Sequence, residues 1–421
     1  MIAALLLATT LMTASADTLV DGSRLVDVVQ LAVSNHPSLT ASQARAEAAQ
    51  ERARQVGSLP DMRFSWGEMI ESVETRVGPQ QRILSLQQPL PWPGTLGARE
   101  DAAMQRSGAA GSRVVDRAIT VAAAVQRTWA EAAWLGETQL VATQQLSLAR
   151  SLETAARASY EAGSGRYGDL LQAQLEIARL EDRLVGLGDQ QQSAMAALNA
   201  ALGRGPNAPL ILPATLPEAA DLAAPETEAV HPRLLAHDQE AVAALGEATA
   251  ARRAGHPTFT LGVDWIQVGE APNDGVPDSG KDAWVARVGV SLPLWRGKYD
   301  GAIAGAEAEA RAITAERRAV GQDLAARTTR AEVRYRDAQR RVTLHTQELL
   351  PRARQMYDTV LAAYRTDGVG FAEILTAQRT LLDLEHALLA ARRDLLVSSA
   401  DWNEARGLLP ADLVMPERTD S

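Results

Sequence analysis

The segment Tyr160-Glu-Ala-Gly-Ser-Gly-Arg-Tyr-Gly-Asp-Leu-Leu-Gln-Ala-Gln174 returns 204 residues later as Tyr364-Arg-Thr-Asp-Gly-Val-Gly-Phe-Ala-Glu-Ile-Leu-Thr-Ala-Gln378. Each copy carries a glycine-rich break, then an acid, Asp169 or Glu373, then Leu/Ile-Leu-x-Ala-Gln. The pattern that follows is also in register: Leu170, Ala173, Ile177, Leu180, Leu184 and Leu187 match Ile374, Ala377, Leu381, Leu384, Leu388 and Ala391. Apolar residues at alternating steps of three and four make a coiled-coil-like seam along one helix face. A duplication this long predicts two similar structural units rather than a catalytic domain with an accessory one.

Outward from these copies the two halves keep matching. Asn35-His-Pro37 breaks a helical pattern that runs from Ser23 to about Gly57, and Val230-His-Pro232 opens another that reaches about Gly255. Two strand candidates follow each opening. In the second half Phe259, Leu261, Val263 and Trp265 alternate with Thr260, Gly262 and Asp264, and Trp284, Ala286, Val288 and Val290 alternate with Val285, Arg287 and Gly289. Their counterparts in the first half are Met62, Phe64 and Trp66, then Leu84 and Leu86. Strands of about ten residues can cross the ~30 Å hydrocarbon core of a bilayer. Five of the eight Trp and two of the three Phe lie in or beside them, where an aromatic girdle would sit. A small soluble sheet buried on one face would alternate in the same way.

The corners Gln88-Pro-Leu-Pro-Trp-Pro-Gly94 and Leu292-Pro-Leu-Trp-Arg-Gly297 are expected to end regular structure. From them two helices, Gly97 to Ala162 and Asp300 to Thr366, are expected to run for about 65 residues, or ~100 Å each. Heptad steps appear in pieces, Val114, Ala118, Val121 and Val125 in one and Ala331, Tyr335, Ala338 and Val342 in the other, and further Ala, Leu and Val beside them make a second apolar seam that gives each helix neighbours on two sides. The boundaries read as a signal peptide at 1–16, a first repeat at 17–205, a proline-rich linker at 206–230, a second repeat at 231–409 and a tail at 410–421.

Composition excludes several functions. A net charge of -10 opposes nucleic acid, which is met by basic surfaces. Aromatic residues at 4% suit close-packed helices better than a large aromatic core. With no cysteine there is no disulfide, no thiolate metal site and no lipid-modified N-terminal cysteine. Met1 to Ala16 is apolar and ends in Ala14-Ser-Ala16, a secretory signal pattern cut before Asp17, although it lacks a basic start. No other apolar run reaches the ~18 to 20 residues of a spanning helix, so membrane insertion would be by strands.

Motifs for chemistry are sparse. Gly163-Ser-Gly165-Arg-Tyr-Gly168 fits a dinucleotide glycine pattern, but a long helix precedes it where a strand is required, so it reads as a turn between helices. His36, His231, His237, His256, His345 and His386 show no ligand spacing, and His36 and His231 stand before prolines at helix starts. No nucleophile elbow, paired base or phosphate-binding loop is present, no cofactor or metal is called for, and the chain does not read as an enzyme. Asp169 and Glu373 remain, and an acid in a helix's first turn is stabilised by the dipole without any function.

Four membrane-length strands cannot close a barrel, since bacterial ones start at about eight. The opening Asn35-His-Pro-Ser-Leu39, the corners Gln88-Pro-Leu90 and Leu292-Pro-Leu294, and the two quoted turns, in order and in duplicate, resemble the TolC-like outer membrane efflux factors from about Leu25 to Leu409. That resemblance implies a mostly α fold with a β part: a homotrimer whose long α-helical barrel continues into a twelve-stranded outer membrane β-barrel, four strands from each chain. It implies an exit duct of a tripartite efflux system, working with a periplasmic adaptor (membrane fusion) protein and an RND-type inner membrane transporter, set in outer membrane lipid. The likeness gives the helix turns the role of adaptor-docking tips, through Gly163, Gly165, Arg166, Arg365, Gly368 and Gly370, and gives Asp169 and Glu373 that of gate acids. A second acid one turn later in some members is Gln172 or Thr376 here. Pro91-Trp-Pro-Gly-Thr-Leu-Gly-Ala-Arg99 resembles the heavy-metal efflux branch. Drug or solvent efflux and type I secretion are the alternatives, and a soluble periplasmic coiled-coil scaffold is the reading of another class.

Overall fold

A computed structural model describes residues 19–217, 230–366 and 368–410; the signal at 1–16, part of the linker and the tail from 411 onward lie outside them. The chain divides into two compact units. One comprises residues 1–41, 115–231 and 322–421, the other residues 42–114 and 232–321.

The second unit holds the sheet. Strands β2 (Arg63–Thr75), β3 (Gly78–Leu90), β5 (Thr258–Val268) and β6 (Ala283–Ser291) pair antiparallel in that order, so β2 and β6 are its edges. The register separates two faces. Phe64, Leu86, Val263 and Ala286 form one row across the sheet, and Trp66, Leu84, Trp265 and Trp284 form the next. Gln88, Leu261 and Val288, then Leu90, Phe259 and Val290, continue the same face. The opposite face carries Ser65, Ser85 and Asp264 in one row and Arg63, Gln87, Gly262 and Arg287 in another. The apolar face is uncovered, with Trp284 72% and Val288 71% exposed, whereas Asp264 on the polar face is 1% exposed and paired with Arg287. A sheet turned toward a soluble core would bury the first face and wet the second. This one leaves its apolar face bare, and on the other face buries Ser85 and Asp264 while Ser65 and Arg287 stay exposed.

One corner differs from expectation. β3 runs on through Gln88-Pro89-Leu90, with Pro89 opposite Thr260. Pairing with β2 stops at Gln87, so Pro89 has β5 as its one neighbour and its missing N–H interrupts no ladder with β2. In the same unit α2 (Pro37–Gly57), α3 (Thr95–Glu161), α5 (Pro232–Ala254) and α6 (Arg296–Leu344) contribute helix segments; ion pairs of Arg106 with Glu247 and Arg113 with Glu240 join α3 to α5, and Arg317 with Asp238 joins α6 to α5. Ala102 lies so close to Gly246 that a Cβ there would sit 3.0 Å from its side chain. Small residues let these helices approach, and surface ion pairs add little to their stability.

The first unit is helical. α1 (Leu25–Asn35) stops where proline forces His36 into an extended backbone, and Pro37 opens α2. The His36 ring caps that start, Nδ1 accepting from the Ser38 N–H at 3.1 Å. Burial and Arg117 lower the His36 pKa, which keeps that nitrogen free to accept. Two short strands, β1 (Val20–Asp21) and β4 (Leu210–Ile211), pair parallel, so part of the proline-rich linker is structured. Trp129, 1% exposed, donates its indole N–H to the Gly22 carbonyl at 2.8 Å beneath them. Its neighbours Val28, Val29, Ala118, Val125, Ala132 and Leu198 form an alanine-rich core. A second core joins α3, α4 (Tyr167–Ala201), α7 (Leu350–Arg365) and α8 (Phe371–Arg406) through Leu152, Ala173, Tyr357, Ile374, Ala377 and Leu381. The duplicated seams are thus buried.

The helix expected from Asp300 to Thr366 is continuous but changes its pitch at one point. His345–Leu349 widens into a π turn, in which the Leu350 N–H reaches back to the His345 carbonyl. Pro351 has no N–H to give to the carbonyl four residues before it and its ring crowds that oxygen, so the wider turn relieves both.

His386 on α8 is half-buried, with both ring nitrogens out of solvent and unpartnered, and burial together with Arg183 lowers its pKa from 6.5 to about 4. The neutral ring is therefore native. Its contribution to stability is complete above the unfolded value of about 6.5 and is lost as pH falls from there toward 4. Thermal melts at pH 7.5 and pH 4.5 are expected to differ by about 1 to 2 kcal/mol through this residue, after allowance for solvent screening. His386→Leu should flatten the difference, and an unchanged difference would remove His386 as its source.

Candidate functional site

The two glycine breaks form tight turns between antiparallel helices. At the first, Gly163 adopts a left-handed φ of +77° and donates to the Tyr160 carbonyl at 3.0 Å, while Ser164 donates to Ser159 at 3.0 Å. These two bonds close a Schellman motif at the end of α3. Gly165 is required by space, because a Cβ there would lie 2.9 Å from the Ser159 side chain. At the second turn Gly368 donates to the Ala363 carbonyl at 2.8 Å, and the Thr366 hydroxyl donates to it at 3.1 Å. The dinucleotide pattern is therefore a helix-to-helix turn.

Beyond the turns α4 and α8 start alike. Arg166 and Gly370 are extended N-cap residues without a side-chain cap. The Asp169 N–H donates to the Arg166 carbonyl and the Glu373 N–H to that of Gly370, both at 3.1 Å. Both acids thus occupy the third helical position, where the dipole favours negative charge. An aromatic pair bridges each turn, Tyr160 with Tyr167 at 5.4 Å and Tyr364 with Phe371 at 6.0 Å between ring centroids. These pairs are equivalent residues of the two repeats. Asp169 is half-buried and Glu373 exposed, as are Arg166 and Arg365. Within the chain no ion pair joins either acid to either arginine among the described residues.

A polar network behind the turns was not found from sequence. Glu176, 7% exposed, accepts from Arg379 Nε at 3.0 Å, with Arg179 at 3.8 Å. Gln378 donates to Gln145 at 3.4 Å, and Gln145 to Glu385 at 3.3 Å. Burial pushes the Tyr357 hydroxyl pKa up nearby. A buried carboxylate needs its cation, so α4 and α8 are tied in one register here. The sequence signal was faint: Glu176 and Arg379 flank the apolar seam, as residues of a solvated face do. Among the described residues no group of three or more His, Asp or Glu is placed to hold a metal ion.

Residues 28–204 and 224–407 match, as two copies, the family described as outer membrane efflux protein. The outer membrane protein VceC of Vibrio cholerae is 22% identical, with 91% of this chain and 96% of that chain covered and a TM-score of 0.73. The MtrE outer membrane channel of Neisseria gonorrhoeae is 19% identical, covering 91% and 89%, with a TM-score of 0.74. CusC is 16% identical, covering 91% and 92%, with a TM-score of 0.75. No curated protein matches by sequence. The chain belongs to the outer membrane efflux protein family. It is an efflux channel of the outer membrane that extends into the periplasm. Among the described residues no helix is long and apolar enough to cross a membrane.

Proposed function

We propose that three copies of this chain close their sheets into one twelve-stranded barrel and act as the passive exit duct of a tripartite pump. The observation that carries this reading is a four-stranded sheet with an uncovered apolar face and two unpaired edges, β2 and β6. In lipid an open edge leaves backbone groups without partners, and pairing β6 with β2 of the next copy removes every edge. The glycine turns Ala162–Gly168 and Thr366–Gly370 then form the periplasmic tips on which an adaptor docks, and an RND-type transporter feeds the duct. The protein is expected to leave the membrane only with detergent and to run as a trimer in native mass spectrometry. Recovery as a soluble monomer would overturn the closure.

Metal cations are the proposed cargo, on the corner motif Pro91 to Arg99. In the fold this corner has structural work, since Trp92 stacks on Phe259 and Gly94 turns with φ +76° into α3. The duct need not ligate its cargo, because selection can rest with the transporter. Deletion is expected to sensitise cells to copper, zinc or cadmium more than to dyes or antibiotics. Equal sensitisation to both would favour drug or solvent efflux.

A further inference from the structure

We propose that the junction where the sheet hands over to the helices binds the phosphate of an anionic phospholipid headgroup. The inference rests on the outer membrane location, not on the cargo or the trimer. Three stretches of chain meet there. Trp92 stacks on His256 at 4.9 Å and on Phe259 at 6.3 Å. Phe259 belongs to the last row of the apolar face, with Leu90 and Val290, so the stack prolongs that face. Arg253 donates to the Gly94 carbonyl at 2.5 Å and Arg296 to the Gly255 carbonyl at 3.1 Å. Gly94 is needed for the first contact, since a Cβ there would strike the guanidinium. The Lys298 ammonium stands 5.7 Å from the Tyr299 ring centre, and a Cβ on Gly255 would touch that same tyrosine.

Arg253, Arg296 and Lys298 thus converge, and no ion pair joins any of them to a carboxylate among the described residues. The neighbouring Arg252, by contrast, is neutralised by Glu307. In a chain of net charge -10 three such cations at one level are not a general property of the surface. Beside them Leu292, Leu294 and Trp295 are exposed, Trp295 at 83%. Aromatic rings at the end of an apolar band mark the membrane–water boundary, and cations at that level meet phosphates. Each arginine spends one Nη1–H on a carbonyl and keeps further donors suited to phosphate oxygens. Long helices leave this end of the sheet, so it is the periplasmic end, facing the inner leaflet. The apolar row and Trp295 favour a lipid over free phosphate, because acyl chains have a surface to lie on.

The test offers purified full-length protein in detergent equal amounts of phosphatidylglycerol and phosphatidylcholine and counts the retained lipid by native mass spectrometry. The wild type is expected to prefer phosphatidylglycerol. Lys298→Gln should lower its retention roughly fivefold and Arg253→Gln with Lys298→Gln further, while Lys298→Arg restores it. The Lys298 side chain makes no hydrogen bond among the described residues, and the variant keeps the backbone bond to the Trp295 carbonyl, so its single variant reads binding rather than folding. Lys281→Gln, in the loop at the other end of the sheet, should change nothing. Added inorganic phosphate should not displace the lipid. Equal retention of both lipids by the wild type, an unchanged Lys298→Gln, or full displacement by phosphate would each overturn the proposal. Retention of neither lipid would instead question the membrane location.

Discussion

Val288→Arg is expected to remove most of the channel from the outer membrane fraction. Val288 shares a row with Gln88 and Leu261, inside an apolar face bounded by the Trp66, Trp265 and Trp284 row at one end and the Phe259 row at the other. From Trp265 to Phe259 is about 20 Å along the strand at ~3.3 Å per residue, which places Val288 within the band. An arginine on the lipid side near mid-membrane costs about 2 to 4 kcal/mol, and in a trimer it would be present three times. Trp265→Arg, nearer the boundary, should cost less. Ser65→Arg supplies the contrast, because Ser65 shares the polar face with Ser85 and Asp264. Outer membrane yield and the trimer band on unheated gels are the readouts. Equal tolerance of Val288→Arg and Ser65→Arg would refute the assignment of faces.

That prediction needed more than alternation. Period-two patterning located Phe259 to Trp265 and Trp284 to Val290 as strands, but alternation alone has two faces and does not say which is wet. Only pairing across four strands put Trp66, Trp265 and Trp284 in one row and Asp264 beside Arg287 on the other side. The long helices were legible because their seams repeat at a fixed offset, and the turns because glycines follow a helix in each copy, Gly163 with a positive φ in the first. What escaped was local or long-range. The strands at Val20–Asp21 and Leu210–Ile211 are too short to alternate. Pro351 was visible, yet whether a helix kinks, ends or widens at a proline depends on its packing. Glu176 and Arg379 lie on different helices, and nothing in either local pattern joins them.

Replacing Asp169 and Glu373 together with alanine is expected to reduce cation selectivity and to weaken block by multivalent cations in single-channel recordings. Both acids sit at the third position of helices that begin at the same kind of turn, so in a trimer six carboxylates would ring the periplasmic mouth. Like charges brought close raise one another's pKa and attract cations, as rings of acids do in cation channels. Their repulsion alone would spread the tips, and no ion pair within the chain answers it among the described residues. What resists it inside each chain is packing, through the Tyr160–Tyr167 and Tyr364–Phe371 pairs and the buried Glu176–Arg379 tie behind them. The double variant should therefore alter selectivity while each helix hairpin stays intact, because the substituted side chains bond to nothing that holds the turns. Arg379→Ala makes the opposite change: it takes the nearer of two cations from the buried Glu176 carboxylate, leaving Arg179 at 3.8 Å, which costs about 1 to 3 kcal/mol, and should loosen the tips while leaving the ring of acids in place. If the alanine pair leaves selectivity and block as they were, Asp169 and Glu373 are helix-start acids held there by the dipole alone.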